Sequence, residues 1–424
     1  MGRLKDRPHG PLVTDVVKVE GDYKVLENLA CIANGLWNCA IYQNYQRYSK
    51  EKKFYFYADL CNIMKDNTLY RLLPSQTAQG VLQKVDGALK SFIKLKKKDP
   101  GAQPPGYHPK NSPWFIPFKS AQFKMNEKDS TIKLTMSLRY RKEHGMDFLI
   151  VKTSSLRHKG KVKYLELYPR DGLWFASVVL EMAPVPKIRT DGNLYIDLGI
   201  PNLVAVYDEK TVTIYKGGEV SSFLRYREKN LAKMKAILAT HGKRTSKAQR
   251  NMSRKQTARA SHAIHAMTKD IVARAKREGK GIVVGDLTHI RKHMKFKDQT
   301  NQKVHQWQFA KTTKQLEYKG GYAGVPFDTG SEVDTSKTCC LCGKKENGRV
   351  KRGLYRCKKY HVQFNADGLG AINISKRYRR IPLRKPSGIG VAGSLASPAV
   401  VLWDNHRWVP QDEANLETMR NPRT

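Results

Sequence analysis

Acidic residues are scarce in this sequence. The 424 residues include 37 Asp and Glu against 78 Lys and Arg, a formal net charge of +41. Such an excess repels itself unless a polyanion neutralises it, which makes nucleic acid the leading partner. Long apolar runs are also missing. No stretch of 18 or more apolar residues exists, and Met1 to Gly10 has no apolar signal core, so the reading is a cytoplasmic protein with no membrane partner. A Walker-type glycine loop is absent, as is any Ser/His/Asp or Cys/His constellation, which argues against NTPase and covalent-nucleophile chemistry. Cysteine is sparse and uneven. Cys31, Cys39 and Cys61 lie singly in apolar helical patterns and read as buried hydrophobes. Cys339, Cys340, Cys342 and Cys357 cluster late, and in a cytosolic chain such a cluster reads as metal ligands before disulfides.

What is present is organised around Asn193 to Ile200, a buried strand that continues past a kink into Leu203–Tyr207. Asp197 interrupts its apolar run. A buried carboxylate is costly unless paired, and a divalent cation is one such partner. A structural Asp capping a turn at Gly199 is the other reading of this stretch.

Earlier in the chain, Leu12 to Glu20 alternates like a strand, and helical periodicity runs from Val25. Phe54 to Met64 is a second, shorter helical stretch. Pro74-Ser75-Gln76 opens a strong helix with Ser75 as its expected cap. Its glutamines, Gln76 and Gln79 among them, form either a solvated face or a base-edge reader, since amides pair bidentately with adenine. Pro100 to Pro117 reads as loop. Short alternating runs at Ile132–Leu138, Asp147–Val151, Lys163–Tyr168 and Leu173–Leu180 suggest a small antiparallel barrel.

After the central strand come a partner strand at Thr211–Tyr215 and two helices, Ser221–Thr240 and Ser246–Arg277, the second rich in Lys and Arg. His262 and His265 lie a helical turn apart and are read as core or interface residues. Gly281–Leu287 is another buried strand. A helix at Trp307–Tyr318 and a strand at Ala323–Phe327 precede Glu332. Fourteen residues separate Cys342 from Cys357, the reach of a zinc ribbon's second knuckle. Tyr360 occupies the fourth ligand position, and the adjacent His361 is the candidate replacement. Asn365 to Ile374 begins a small-residue helix with Asp367 in its first turn, where the helix dipole favours an anion. The tail from Pro382 mixes Gly, Pro and Ser and is expected to be loosely ordered.

Taken together, Tyr195-Ile196-Asp197-Leu198-Gly199, Ile282-Val283-Val284-Gly285-Asp286-Leu287, Asn301 to Trp307, Thr335-Ser336-Lys337-Thr338-Cys339 and Asn365-Ala366-Asp367 through Asn373 resemble TnpB, the RNA-guided nuclease of certain transposons, and the type V CRISPR effectors related to it. The helix from Ser75 with Lys90-Ser91-Phe92 is similar to that family's N-terminal region. The resemblance implies an α/β fold with α and β accessory domains. Its divisions would be a wedge-barrel segment at 1–22, a helical recognition lobe at 23–99, a wedge β-barrel at 100–188, an RNase H-like RuvC nuclease domain at 189–336, a zinc ribbon at 337–363, a final nuclease helix at 364–380 and a tail at 381–424.

The implied function is RNA-guided cleavage of DNA, with guide RNA and target double-stranded DNA as partners. Monomer and homodimer both stay open. Asp197, Glu332 and Asp367 would hold two Mg²⁺ ions. Cys339, Cys342, Cys357 and His361 would hold Zn²⁺, and Ser75, Gln76 and Gln79 would lie at the flanking DNA motif. The sequence departs from the family where the usual second acid stands, because that position is Gly285. Some relatives carry the acid just before the Thr-Ser pair, where Glu332 stands here, with Asp286 as the fallback. A guided binder that no longer cuts is the alternative function, and a transposase accessory protein is another.

Overall fold

The computed structural model describes residues 10–199, 202–287, 309–345, 348–351, 353–387 and 392–413. The Asn301 to Trp307 motif lies outside them. The chain divides into two compact units, Met1–Pro184 and Val185–Thr424.

In the first unit, β1 (Leu12–Glu20) turns Val13, Asp15, Val17 and Val19 inward, as its alternation requires. Four helices follow: α1 (Tyr23–Glu51), α2 (Tyr57–Met64), α3 (Thr68–Leu72) and α4 (Ser75–Lys96). Asp22 caps α1 by accepting from the Lys24 and Val25 amides. The expected cap of α4 moves back one residue, to Pro74, and Ser75 makes no capping bond. Proline fits there because its missing N–H is not needed at a helix start.

The expected barrel is a seven-stranded antiparallel sheet built from β1, β2 (Ile116–Lys119), β3 (Phe123–Asn126), β4 (Thr131–Thr135), β5 (Phe148–Thr153), β6 (Lys161–Arg170) and β7 (Leu173–Glu181). Its order is β2-β6-β7-β1-β5-β4-β3. The two edge strands are consecutive in sequence, joined by one 3₁₀ turn at Ser120–Gln122. The sheet therefore curls until its edges meet at that corner, although no ladder closes it among the described residues. The strand expected to reach Leu138 stops at Thr135, because Ser137 caps a short helix, α5 (Leu138–His144). The proline-rich loop lies along α1. Asn34 donates to the Pro109 carbonyl, Trp37 to Gly106 and Asn38 to His108.

The second unit has its own seven-stranded sheet. Its strands are β8 (Gly192–Leu198), β9 (Asn202–Tyr207), β10 (Val212–Lys216), β11 (Lys280–Gly285), β12 (Phe327–Gly330), β16 (Ala399–Trp403) and β17 (Trp408–Pro410). The order is β12-β11-β8-β9-β10-β16-β17. Strands β8, β9 and β10 are antiparallel neighbours, and β11 and β12 run parallel to β8. Helices α6 (Gly218–Thr240), α7 (Lys247–Arg277) and α8 (Phe309–Ala323) accompany the sheet. Leu194, Ile196, Ile282 and Val284 pack with the apolar residues of α7 and α8. Tyr195, Ala205 and Val283 pack with the last long helix, α9 (Ala366–Tyr378).

Two expectations change here. The strand placed at Ala323–Phe327 begins only at Phe327, since α8 runs on to Ala323. Gly324, with φ +73°, then ends the helix and lets the Val325 amide reach the Gly320 carbonyl. The tail is ordered over 399–410. Strand β16 pairs parallel with β10, Trp403 is buried, and Trp408 Nε1 donates to the Ala263 carbonyl. Between β12 and α9 lies a small three-stranded sheet of β13 (Arg349–Lys351), β14 (Leu354–Arg356) and β15 (Gln363–Asn365). Among the described residues no helix is long and apolar enough to cross a membrane.

Candidate active site and metal centre

Strand alternation decides which side chains meet at the C-terminal end of β8. Leu194, Ile196 and Leu198 belong to one face, so Tyr195 and Asp197 face α9. Val284 on β11 is in register with Ile196, so Gly285 follows beside Asp197 on the neighbouring strand, on the same face as Val283.

That face needs small residues. A Cβ on Gly370 of α9 would stand 2.2 Å from Asp197 Oδ2, so the helix approaches the strand only because the position is glycine. A Cβ on Gly285 would stand 2.0 Å from Glu332 Oε1. The Glu332 carboxylate thus fills the space that a side chain at 285 would take, although it comes from the loop after β12. Asp367 enters from the start of α9. Asn365 caps that helix by accepting from the Asp367 and Gly368 amides, and Asn202 Nδ2 donates to Asp367 Oδ2 at 2.6 Å. A Cβ on Gly199, at the end of β8, would lie 3.8 Å from the same oxygen. Asp197, Glu332 and Asp367 are thereby brought to one region. They are spaced more widely than the thiols described below, and not all within 4.8 Å of one another.

Glu332 is the least satisfied of the three. Its Oε1 is buried and has no hydrogen-bond partner among the described residues. Burial first, and the charge of Asp286 second, push its pKa up to about 7. Asp286 is exposed and lies one residue past the end of β11, where its amide donates to the Gly330 carbonyl. Strand alternation therefore does not govern it, and its charge still reaches Glu332. An unpartnered buried carboxylate oxygen, over the strand next to the one that bears Asp197, fits a hard divalent cation.

The thiols of Cys339, Cys342 and Cys357 lie within 4.8 Å of one another, and all three residues are buried. Burial pushes the Cys339 thiol well above its usual range and that of Cys340 up to about 12. Three convergent buried thiols suit a soft metal. His361 is not among them. It has φ 54° and is exposed, because the turn from Cys357 closes with the Cys357 amide on the Val362 carbonyl and carries His361 outward. Tyr360 packs against this cluster's core instead.

The three residues expected at a DNA motif stand in different surroundings. Ser75 is exposed and lines a cleft of ≈ 490 Å³ with Arg71, Gln122, Ser137 and Arg139. Gln76 is half-buried, and Gln79 hydrogen-bonds the Tyr70 hydroxyl. Sequence reasoning missed Asn202 and the cradle role of Gly370. Asn202 stands in the kink after the Asp197 strand, and a polar residue there was the available signal.

Comparison with known proteins bears on family and fold. Residues 177–291 match the OrfB_IS605 family, described as a probable transposase, and residues 309–374 match the Cas12f1-like TNB domain. The TnpB-like protein MJ0751 of Methanocaldococcus jannaschii is 23% identical over 185 residues, 40% of this chain. The alignment covers 66% of that protein, just under two thirds of its length. A solved Cas12f1–sgRNA–target DNA complex contains a chain of similar fold, with TM-score 0.56, 16% identity and coverage of 83% of this chain and 82% of that one.

Proposed function

We propose that this TnpB-like chain is an RNA-guided DNA endonuclease that hydrolyses phosphodiester bonds at the Asp197, Glu332 and Asp367 site. The observation that carries the reading is the Glu332 carboxylate in the space above Gly285, on the strand next to the one that bears Asp197, with one oxygen buried and unpartnered among the described residues. The strand order β12-β11-β8-β9-β10, three antiparallel strands followed by two parallel to the first, supports an RNase H-type, RuvC-like assignment for this unit.

The three carboxylates would hold two Mg²⁺ ions, which when bound supply an activated water and neutralise the leaving oxygen. The chain's own residues perform the positioning. Asn202 fixes the rotamer of Asp367, Gly370 lets Asp197 lie against α9, and Gly285 leaves room for Glu332. Glu332 holds its proton up to about pH 7 and must release it to act as a ligand. The thiols of Cys339, Cys342 and Cys357 would hold Zn²⁺, which supplies folding energy to a module too small for a core of its own. The net charge of +41 supports a guide RNA and target double-stranded DNA as partners, with sequence read by base pairing.

A cleavage assay tests this. Protein purified with its RNA, given Mg²⁺ and DNA matching that RNA, should cut, and Asp197→Ala should bind the same DNA without cutting. Binding without cutting by the unaltered protein would select the inactive-binder reading. Cutting of a defined site by RNA-free protein would remove the guide.

A further inference from the structure

Helix α9 carries more than Asp367. Six residues later, Asn373 is wholly buried, and its amide donates twice, to the Thr335 and Thr338 carbonyls, each at 2.7 Å. Lys376 is also buried and donates to the Cys340 carbonyl at 3.1 Å and the Lys385 carbonyl at 2.7 Å. Arg377 donates through Nε and Nη2 to the Val333 carbonyl, at 3.2 and 3.0 Å. Apart from the bond to Lys385, these bonds end on one segment, which starts beside Glu332 and finishes among the thiols. Thr335 in turn caps Glu332, because its amide and hydroxyl donate to the Glu332 carbonyl at 3.2 and 2.9 Å.

Asn373 is not a simple packing residue. Its Oδ1 is buried with no partner among the described residues, a cost that an apolar side chain of similar volume would not carry. What an apolar residue lacks is the pair of donors aimed at two specific carbonyls.

We propose that Asn373 is a positioning residue for the Glu332 carboxylate. Through Thr335 it fixes the backbone of Glu332 relative to Asp367, which stands on the same helix, and Arg377 holds the adjoining Val333 carbonyl. One rigid helix thus sets the separation of two acids that come from different parts of the chain. The inference rests on the reading of these acids as ligands of the hydrolytic metal.

Mn²⁺ binding, followed by electron paramagnetic resonance on the full-length protein with its RNA, tests the inference apart from cleavage. The Asp367→Ala complex supplies the background of ions held by RNA. Asn373→Leu should weaken the site-specific Mn²⁺ about tenfold or more, the usual effect of removing a group that orients a metal ligand. Its zinc content per chain should equal that of the unaltered protein. Arg377 is exposed and its variants should fold, so Arg377→Met should weaken Mn²⁺ in the same direction by less, and Arg377→Lys should recover part of the loss. Unchanged Mn²⁺ affinity in folded Asn373→Leu overturns the proposal. So does unchanged affinity in Arg377→Met if Asn373→Leu does not fold. Loss of zinc together with Mn²⁺ also overturns it, since the whole loop would then have collapsed. If Asp367→Ala binds Mn²⁺ as the unaltered protein does, the metal-site reading fails and takes the inference with it, an outcome distinct from the others.

Discussion

The acid site and the thiol site share α9 and the segment between Glu332 and Cys340, yet they meet the cost of burying ionisable groups in opposite ways. The thiols gather within 4.8 Å, and burial raises the Cys339 and Cys340 pKa values. A protonated thiol behaves as a small hydrophobe, so crowding costs little. Carboxylates repel one another, and their protons are lost at lower pH. The acid site therefore spaces its groups, places each on a separate element, and leaves Glu332 with a raised pKa. Buried thiols can close up within a small module. Spaced carboxylates need a large sheet and a helix to hold like charges apart.

The largest expected effect comes from removing one of the spaced charges. Asp197→Ala, Glu332→Ala and Asp367→Ala should each lower the cleavage rate by roughly a thousandfold or more, since metal-borne charge stabilisation amounts to several kcal/mol. Filter binding to the matched DNA should change little, because pairing and phosphate contacts supply that affinity. Asp286→Ala should keep its activity. Gly285→Glu alone should be damaging, because its side chain meets Glu332. Combined with Glu332→Ala it should recover cleavage, since the new carboxylate would start from the space Glu332 occupies. Robust cutting by Glu332→Ala with an inert Asp286→Ala would reverse the assignment of the second acid.

The thiol side should respond with loss of structure rather than of chemistry. Cys339→Ser should abolish bound zinc, measured by elemental analysis, and make the segment around 339–365 susceptible to protease. Cys340→Ser buries a hydroxyl where a thiol packed, at a cost of about 1–3 kcal/mol, and should keep its zinc. His361→Ala should also keep it, because the side chain faces outward. Loss of zinc in His361→Ala would mean that this turn rearranges to ligate.

The sequence made one half of this comparison more legible than the other. Buried strands read as apolar runs, so Asp197 stands out in β8 as an interruption, and cysteine spacing announces the thiols. Glu332 emerged only through family resemblance, because its role depends on β12 running parallel to β11, a pairing that no local pattern carries. Asn373 is hidden for a related reason. A polar residue inside a helix looks solvated until the partner carbonyls, 35 and 38 residues away, are known. The end of the chain misled in the opposite sense. Its Gly, Pro and Ser content suggests a loose tail, but Ala399–Trp403 gains order from a non-local parallel pairing with β10. The strands of the first unit's sheet were visible as alternation, whereas the corner at Ser120–Gln122 that joins its two edge strands was not.

A smaller effect sharpens the electrostatic half. Because burial and Asp286 raise the Glu332 pKa from 4.5 to about 7, the folded state keeps a proton that the unfolded state has released. Metal-free protein should therefore lose stability as pH rises between those two values, by up to ~1.4 kcal/mol per pH unit from this group. Glu332→Gln should remove that slope in denaturant titrations. Added Mg²⁺ should reverse it, since only the ionised carboxylate is a ligand, and half-maximal Mg²⁺ should fall as pH rises through about 7. A slope retained in Glu332→Gln would place the titrating group elsewhere.

The smallest expected effect lies in the first unit, where neither kind of metal site is at issue. Gln79 already engages the Tyr70 hydroxyl, so Gln79→Ala acts on packing as well as on any base contact. Gln76 is the cleaner probe, half-buried in the first turn of α4 and next to Ser75 at the rim of the cleft. If its amide reads a base edge, Gln76→Ala should cost about 1–3 kcal/mol against the preferred flanking base and almost nothing against others. The change would appear as a flattened preference in a selection from randomised flanking DNA, with total affinity nearly constant because phosphate contacts dominate it. Arg71 and Arg139 line the same cleft and provide the contrast. Replacing either with Gln should weaken binding to all flanks alike and reduce its salt dependence. A uniform loss in Gln76→Ala, matching that of the arginines, would return the glutamine to an ordinary solvated helix face.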